Sequence, residues 1–299
     1  MNLLNRRALG ACLLFVSTPI CVTAQPKPIK HRIMLTQYQG KAGNRILEVS
    51  ADGKITWEHK VPSSCVMFQA LPNGNVVYAF GGNPTGAEEV DRQEKVVWRY
   101  VSKSPQVLTC ERLPNGNTLL AEQGDCRVAE INPKEELVST VKLTTSEAQF
   151  HRQVRMVHRL ANGNLLAAHE GEAVVREVTP GGKIVWEYPN VTSVFEAKRL
   201  PGGNTLIGCG TQKRIIEVTP DKKVVWELKA EDVPELNLTW ITSLEVLRNG
   251  NLVVGNFLRG QEGKGAHAFE VTRQKKVVWT FADHEMVQSL TMVHVLDDK

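Results

Sequence analysis

The chain has 299 residues, with 36 Lys and Arg against 32 Asp and Glu, a formal charge of +4, and 42% apolar residues. A balance this near neutral excludes nucleic-acid or anionic-membrane binding by bulk charge. The apolar content suffices to fill one domain of this length.

Residues 1–24 read as a signal peptide: Arg6 and Arg7, an apolar run from Ala8 to Ile20, then Val22-Thr23-Ala24 as a small-residue cleavage pattern. The mature chain is expected to begin near Gln25 and to be periplasmic or secreted. The apolar run is shorter than the roughly 20 residues that span a bilayer, and no later segment is uniformly apolar, so no membrane span is expected. Two variants of export stay open, a twin-arginine signal on Arg6-Arg7 and a lipoprotein box at Leu9-Gly10-Ala11-Cys12. Four cysteines follow the leader, Cys65, Cys110, Cys126 and Cys209, with no CxxC pair. Free buried thiols are the simplest reading, although a Cys110–Cys126 bridge is open in an oxidising compartment.

Residues 25–299 read as one repeat domain. A Gly-containing turn recurs in LPNGN, LPNGN, LANGN, LPGGN and LRNGN, with its central glycine at Gly74, Gly116, Gly163, Gly203 and Gly250. A period of about 40 to 47 residues is that of a four-stranded propeller blade. One blade fixes the register of the others: Val194 to Leu200 is strand A, Asn204 to Gly208 strand B, Arg214 to Val218 strand C and Lys223 to Leu228 strand D. Asn-Gly at the A-to-B turn predicts a two-residue type I′ hairpin. Trp57, Trp98, Trp186, Trp226 and Trp279 mark the ends of the D strands, and Ser139 stands in their place in the third blade. Glu48, Glu89, Glu130, Glu177, Glu217 and Glu270 recur in strand C. Residues that every repeat demands serve the repeat, so neither set is a functional candidate.

Arg32 to Gln39 looks like a B strand lacking its A strand, and Ser289 to Leu296 like a spare A strand. Pairing them closes a ring and removes its free edges. The fold class is therefore an all-β, six-bladed β-propeller of four-stranded antiparallel blades.

Strand alternation puts the B-to-C and D-to-A loops on one face, and these loops vary where the opposite turns repeat. That face is the expected site for a small molecule, a glycan or a protein partner. Its ligand-binding candidates are His59, His169, Trp240, His267 and His284. Catalytic candidates are His151 and His158 as base or nucleophile, with Arg152 and Arg155 to neutralise an anion. A polar column on the A strands, Gln69, Glu111, His158, Lys198, Glu245 and His294, borders the channel. Within it Glu111, His158, Glu245 and His294 could hold a divalent metal or simply neutralise one another in pairs.

The LPNGNTL, EVTP and VVWEY texture resembles the quinoprotein-like (PQQ-like) propellers, across nearly all of Arg32 to Lys299. Six-bladed members of that superfamily include bacterial arylsulfotransferases, and Phe150-His151-Arg152 to His158-Arg159 looks like the neighbourhood of their sulfate-carrying histidine, without an alignable motif. The resemblance does not extend to pyrroloquinoline quinone as cofactor, because the chain has no Cys-Cys pair and too few blades. Binding at the loop face is the first functional expectation. A histidine-dependent enzyme acting on an anionic small molecule or glycan is the alternative.

Overall fold

The computed structural model describes residues 31–39 and 42–298. The leader expected at residues 1–24 lies outside the described residues. Six four-stranded antiparallel sheets form the ring. Blade 1 combines Leu290–Val295 with Ile33–Gln37, Arg45–Val49 and Ile55–Lys60. Blades 2 to 6 then follow in chain order, their innermost strands being Phe68–Ala70, Val107–Arg112, Val157–Arg159, Ala197–Arg199 and Ile241–Val246. Blade 1 is the expected closure, with Ile33 opposite Val295 and Leu35 opposite Val293. No described helix is long and apolar enough to cross a membrane.

The A-to-B turns differ from the sequence expectation. Leu71 N–H donates to Asn75 O at 2.8 Å and Gly74 N–H to Leu71 O at 2.9 Å, and the same pair of bonds recurs at Leu113, Leu160, Leu200 and Leu247. This is a three-residue hairpin loop, a type I turn followed by a residue in the left-handed region, not a two-residue type I′ turn. Only the glycine has positive φ, as at Gly116 (87°). In three of the five turns the residue after the leucine is proline, Pro72, Pro114 and Pro201, whose fixed φ suits the first central position of type I and whose missing N–H could not close a two-residue hairpin on the next two residues.

The C-to-D turns reuse this geometry, but several put a side chain in the left-handed position, as Lys222 does with φ 68°. The two turns therefore respond oppositely to substitution. A Cβ at Gly116 would meet nothing closer than Pro133 Cγ at 3.7 Å, so its cost is backbone strain rather than crowding. We expect Gly116→Val to lose about 1–2 kcal/mol and Lys222→Gly to gain about 0.5 kcal/mol in urea titrations. Equal effects of the two changes would contradict this backbone assignment.

The blades are tied by a repeated clamp. The last Asn of each turn donates to the strand-C glutamate of its own blade, as Asn204 does to Glu217 at 2.7 Å and Asn251 to Glu270 at 2.7 Å. A cation from the next blade completes the glutamate and lies on the tryptophan: Arg112 reaches Glu89 at 2.9 Å and sits 5.2 Å above Trp98, and Arg199 reaches Glu177 at 2.8 Å over Trp186. Arg92 with Glu48 and Trp57, and Arg273 with Glu217 and Trp226, do the same. At the closure His31 replaces arginine, 2.7 Å from Glu270 and edge-on to Trp279. The recurrent Trp and Glu residues are thus interblade structure, combining cation–π contact with a shielded ion pair. The tryptophans lie inside the D strands, which run on beyond them to Lys60, Val101, Pro189, Lys229 and Phe281. The four cysteines are free and buried.

Candidate functional site

One apolar cluster contains Val66, Met67, Leu108, Met156 and Phe195, with Trp240 and Met292 packed against it. These residues come from the entry of the innermost strand of all six blades, and such residues meet only on the ring axis. The channel is therefore plugged rather than open. On one side of the plug lies a cup; on the other lies the polar column.

The cup has a volume of about 610 Å³ and opens on the face of the variable loops. Its wall carries four aromatic rings in edge-to-face succession: Phe195 to Trp240 at 5.8 Å, Trp240 to Phe257 at 6.1 Å and Phe257 to Tyr38 at 5.8 Å. The wall also bears three guanidinium groups, Arg152, Arg155 and Arg259, against two carboxylates, Glu170 and Glu262. Arg155 is a fixed part of it. Its side chain is 4% exposed, it pairs with the equally buried Glu170, and its guanidinium lies 4.8 Å from the centre of the Phe195 ring. Burial pushes the Arg155 pKa down and Glu170 opposes that shift. Arg152 makes only loose ion pairs, 3.8 Å to Glu170 and 3.9 Å to Glu147. Arg259 makes no hydrogen bond or close ion pair among the described residues.

His151 stands at the mouth of the cup. Its Nδ1 lies 2.8 Å from Gln106 Oε1, and Gln106 Nε2 donates to the backbone oxygen of Gly81 at 3.0 Å. Partial burial, then the charges of Arg155 and Arg259, push its pKa down to about 4. At neutral pH the ring is therefore uncharged.

Of the residues singled out from sequence, His151, Arg152, Arg155 and Trp240 come together in the cup. His59, His169, His267 and His284 do not line it. His59 is buried 6.0 Å from the Trp57 ring and bonds Tyr78 Oη at 3.0 Å, and burial lowers its pKa. His169 and His267 are wholly buried, and burial brings each pKa to about 4. His284 donates to Gly265 O at 3.1 Å and lies 4.5 Å from His267.

His158 lies beyond the plug, with Nε2 2.6 Å from Glu196 Oε1 and Nδ1 4.0 Å from Glu111 Oε2. It is thus separated from His151, and the two do not form one constellation. The remaining metal candidates form a second pair, His294 Nδ1 to Glu245 Oε1 at 2.8 Å. Among the described residues no three or more His, Cys, Asp or Glu side chains converge as a metal-binding group. The column instead staples adjacent blades: Gln69 accepts from Arg112 N–H at 2.8 Å, Glu111 from Arg159 N–H at 2.9 Å and Glu245 from Val295 N–H at 2.9 Å.

Tyr38, Gln106, Glu170, Phe195, Phe257 and Arg259 were not singled out from sequence. Each occurs once, at a strand end or in a loop, where the repeat gives no register against which an unusual residue stands out. The nearest signal is Phe195, an aromatic two residues before the short strand Ala197–Arg199.

Solved structures share the architecture. A protein of unknown function from Bacteroides caccae superposes with a TM-score of 0.78 at 24% identity, covering 88% of this chain and 98% of that one. Virginiamycin B lyase from Staphylococcus aureus, solved with quinupristin in a catalytically inactive form, gives 0.59 at 12% identity over 85% of this chain and 86% of its own. A putative 6-phosphogluconolactonase from Bacteroides fragilis gives 0.55 at 12% identity over 86% and 82%. No family model and no curated protein matches the chain. At these identities the likeness is one of fold, and the propeller is what it establishes.

Proposed function

We propose that this propeller is a small-molecule-binding protein whose central cup takes an anionic ligand with an aromatic or apolar body. The observation that carries the reading is the wall itself. Four edge-to-face rings line one arc of the wall with apolar faces and edges, while Arg152 and Arg259 lack close protein partners. Neither guanidinium is buried, Arg152 being 42% exposed and Arg259 exposed, but each has donors to give a ligand carboxylate, sulfate or phosphate in charge-assisted bonds. The histidine-enzyme alternative is narrowed by the same geometry to His151, Arg152 and Arg155, because His158 lies beyond the plug. The leader reading of residues 1–24 makes export part of the proposal. Kinship with quinoprotein-like propellers and arylsulfotransferases rests on blade texture alone.

Anilinonaphthalene sulfonate, an anionic aromatic fluorophore, tests the cup directly. We expect saturable binding that Trp240→Ala and Arg259→Ala each weaken roughly tenfold, the worth of one aromatic anchor or one charged hydrogen bond. His59→Ala should leave it unchanged. Binding insensitive to Trp240 and Arg259, or no saturable binding, would remove the reading.

A further inference from the structure

The hydrogen-bond chain behind His151 fixes where its proton sits. Gln106 Nε2 donates to Gly81 O, so the Gln106 amide cannot be turned round without setting its oxygen against another acceptor. Gln106 therefore presents Oε1 to the imidazole at 2.8 Å, and an oxygen acceptor requires N–H at Nδ1. In the neutral ring this leaves the lone pair on Nε2. No described residue takes that atom as a partner, and His151 is an exposed residue at the cup mouth, so Nε2 is open to what enters.

We infer that His151 is the proton acceptor of the cup, a general base acting through Nε2 on a hydroxyl of an anionic, hydroxyl-bearing aromatic ligand. The inference rests on the cup reading above. In the step, Nε2 takes the proton and the O–H bonding pair stays on the ligand oxygen. The resulting oxyanion lies beside the cationic wall of Arg155 and Arg259, and the imidazolium returns the proton on the reverse step.

The ligand's own negative charge strengthens the base. The groups acting on the imidazole are Arg155 and Arg259, with Gln106 behind it, and the cup carboxylates are Glu170 and Glu262. Both guanidinium charges disfavour imidazolium, and an anion bound among them offsets that repulsion. That relief acts on the smaller causes of the depressed pKa, while burial, the largest, remains.

Hydroxynitrophenylacetate tests this, because it carries a carboxylate and a phenol whose ionisation is visible in its absorbance. Binding is read by tryptophan quenching, and phenol ionisation by a pH titration of the bound probe, in the wild type and in His151→Gln. We expect both proteins to bind and the wild type to hold roughly threefold more phenolate at a given pH below the midpoint, half a pKa unit. Equal midpoints in the two proteins would overturn the base and leave the cup reading intact. Failure of the probe to bind either protein would overturn both. Independently, proton–nitrogen correlation NMR of the histidine rings should place the His151 proton on Nδ1, and Gln106→Leu should release that preference. A proton on Nε2 in the wild type would overturn the inference whatever the probe does.

Discussion

Removing residues 288–299 should abolish cooperative unfolding rather than trim a tail. The deletion takes away Leu290–Val295, which supplies the inner strand of blade 1 and pairs with Ile33–Gln37. Its side chains Leu290, Val293 and Val295 are buried in one cluster with Ile33, Leu35, Trp279 and Phe281, so the loss reaches both blade 1 and blade 6. The floor of the cup loses Met292 as well. With the ring opened, Ile33–Gln37 becomes a free apolar edge, an invitation to association. Calorimetry of the truncated chain should show no single transition, and the protein should aggregate. A truncated chain that melts like the full one would refute closure through this strand.

The second large effect is expected at Glu170. Arg155 and Glu170 are both almost wholly buried and paired in the cup wall. Glu170→Ala leaves a buried guanidinium with no close countercharge, and the stability loss should be about 3–5 kcal/mol. Replacing both partners with apolar residues, Arg155→Met with Glu170→Leu, should cost far less, because the charge needing a partner is then gone. Guanidinium chloride midpoints of the two variants decide the matter. If the single change proved as mild as the double one, Arg155 would not be desolvated as described.

The sequence carried the architecture because the fold is periodic. Five turn glycines, five tryptophans and six strand-C glutamates sample one local environment repeatedly, so each copy corrects the reading of the others. Even the absent inner strand of blade 1 was legible as a gap at one end and a surplus at the other. The Asn-Gly signal pointed to type I′, but Pro114 before it has no N–H with which to close a two-residue hairpin and suits the first central position of type I instead. The cup was legible only in part. His151, Arg152, Arg155 and Trp240 lie in loops whose variation marks a working face, whereas Phe257 and Arg259 join them through the closure of the ring. Such proximity between blades has no trace in local spacing. The histidines His59, His169 and His267 were misleading for a related reason: a loop-face position in the strand register says nothing of whether a ring points at the cavity or is buried within its own blade.

The interblade clamp has one incomplete copy, and it lies at the turn face of the seam whose opposite face carries part of the cup. Between blades 3 and 4 Arg159 still reaches Glu130 at 3.1 Å, but Ser139 opposite Glu130 gives its guanidinium no indole to rest on. Mechanically the ring is a closed chain of six couplings, and this one alone lacks an aromatic platform. Segment 143–156, which carries His151, Arg152 and Arg155, leaves blade 3 and enters blade 4 across that same joint. Distortion imposed by an incoming ligand would thus meet less bracing at the joint that carries Arg152 and Arg155 than at the seams under the aromatic arc, each of which has its tryptophan and a cation or imidazole against it.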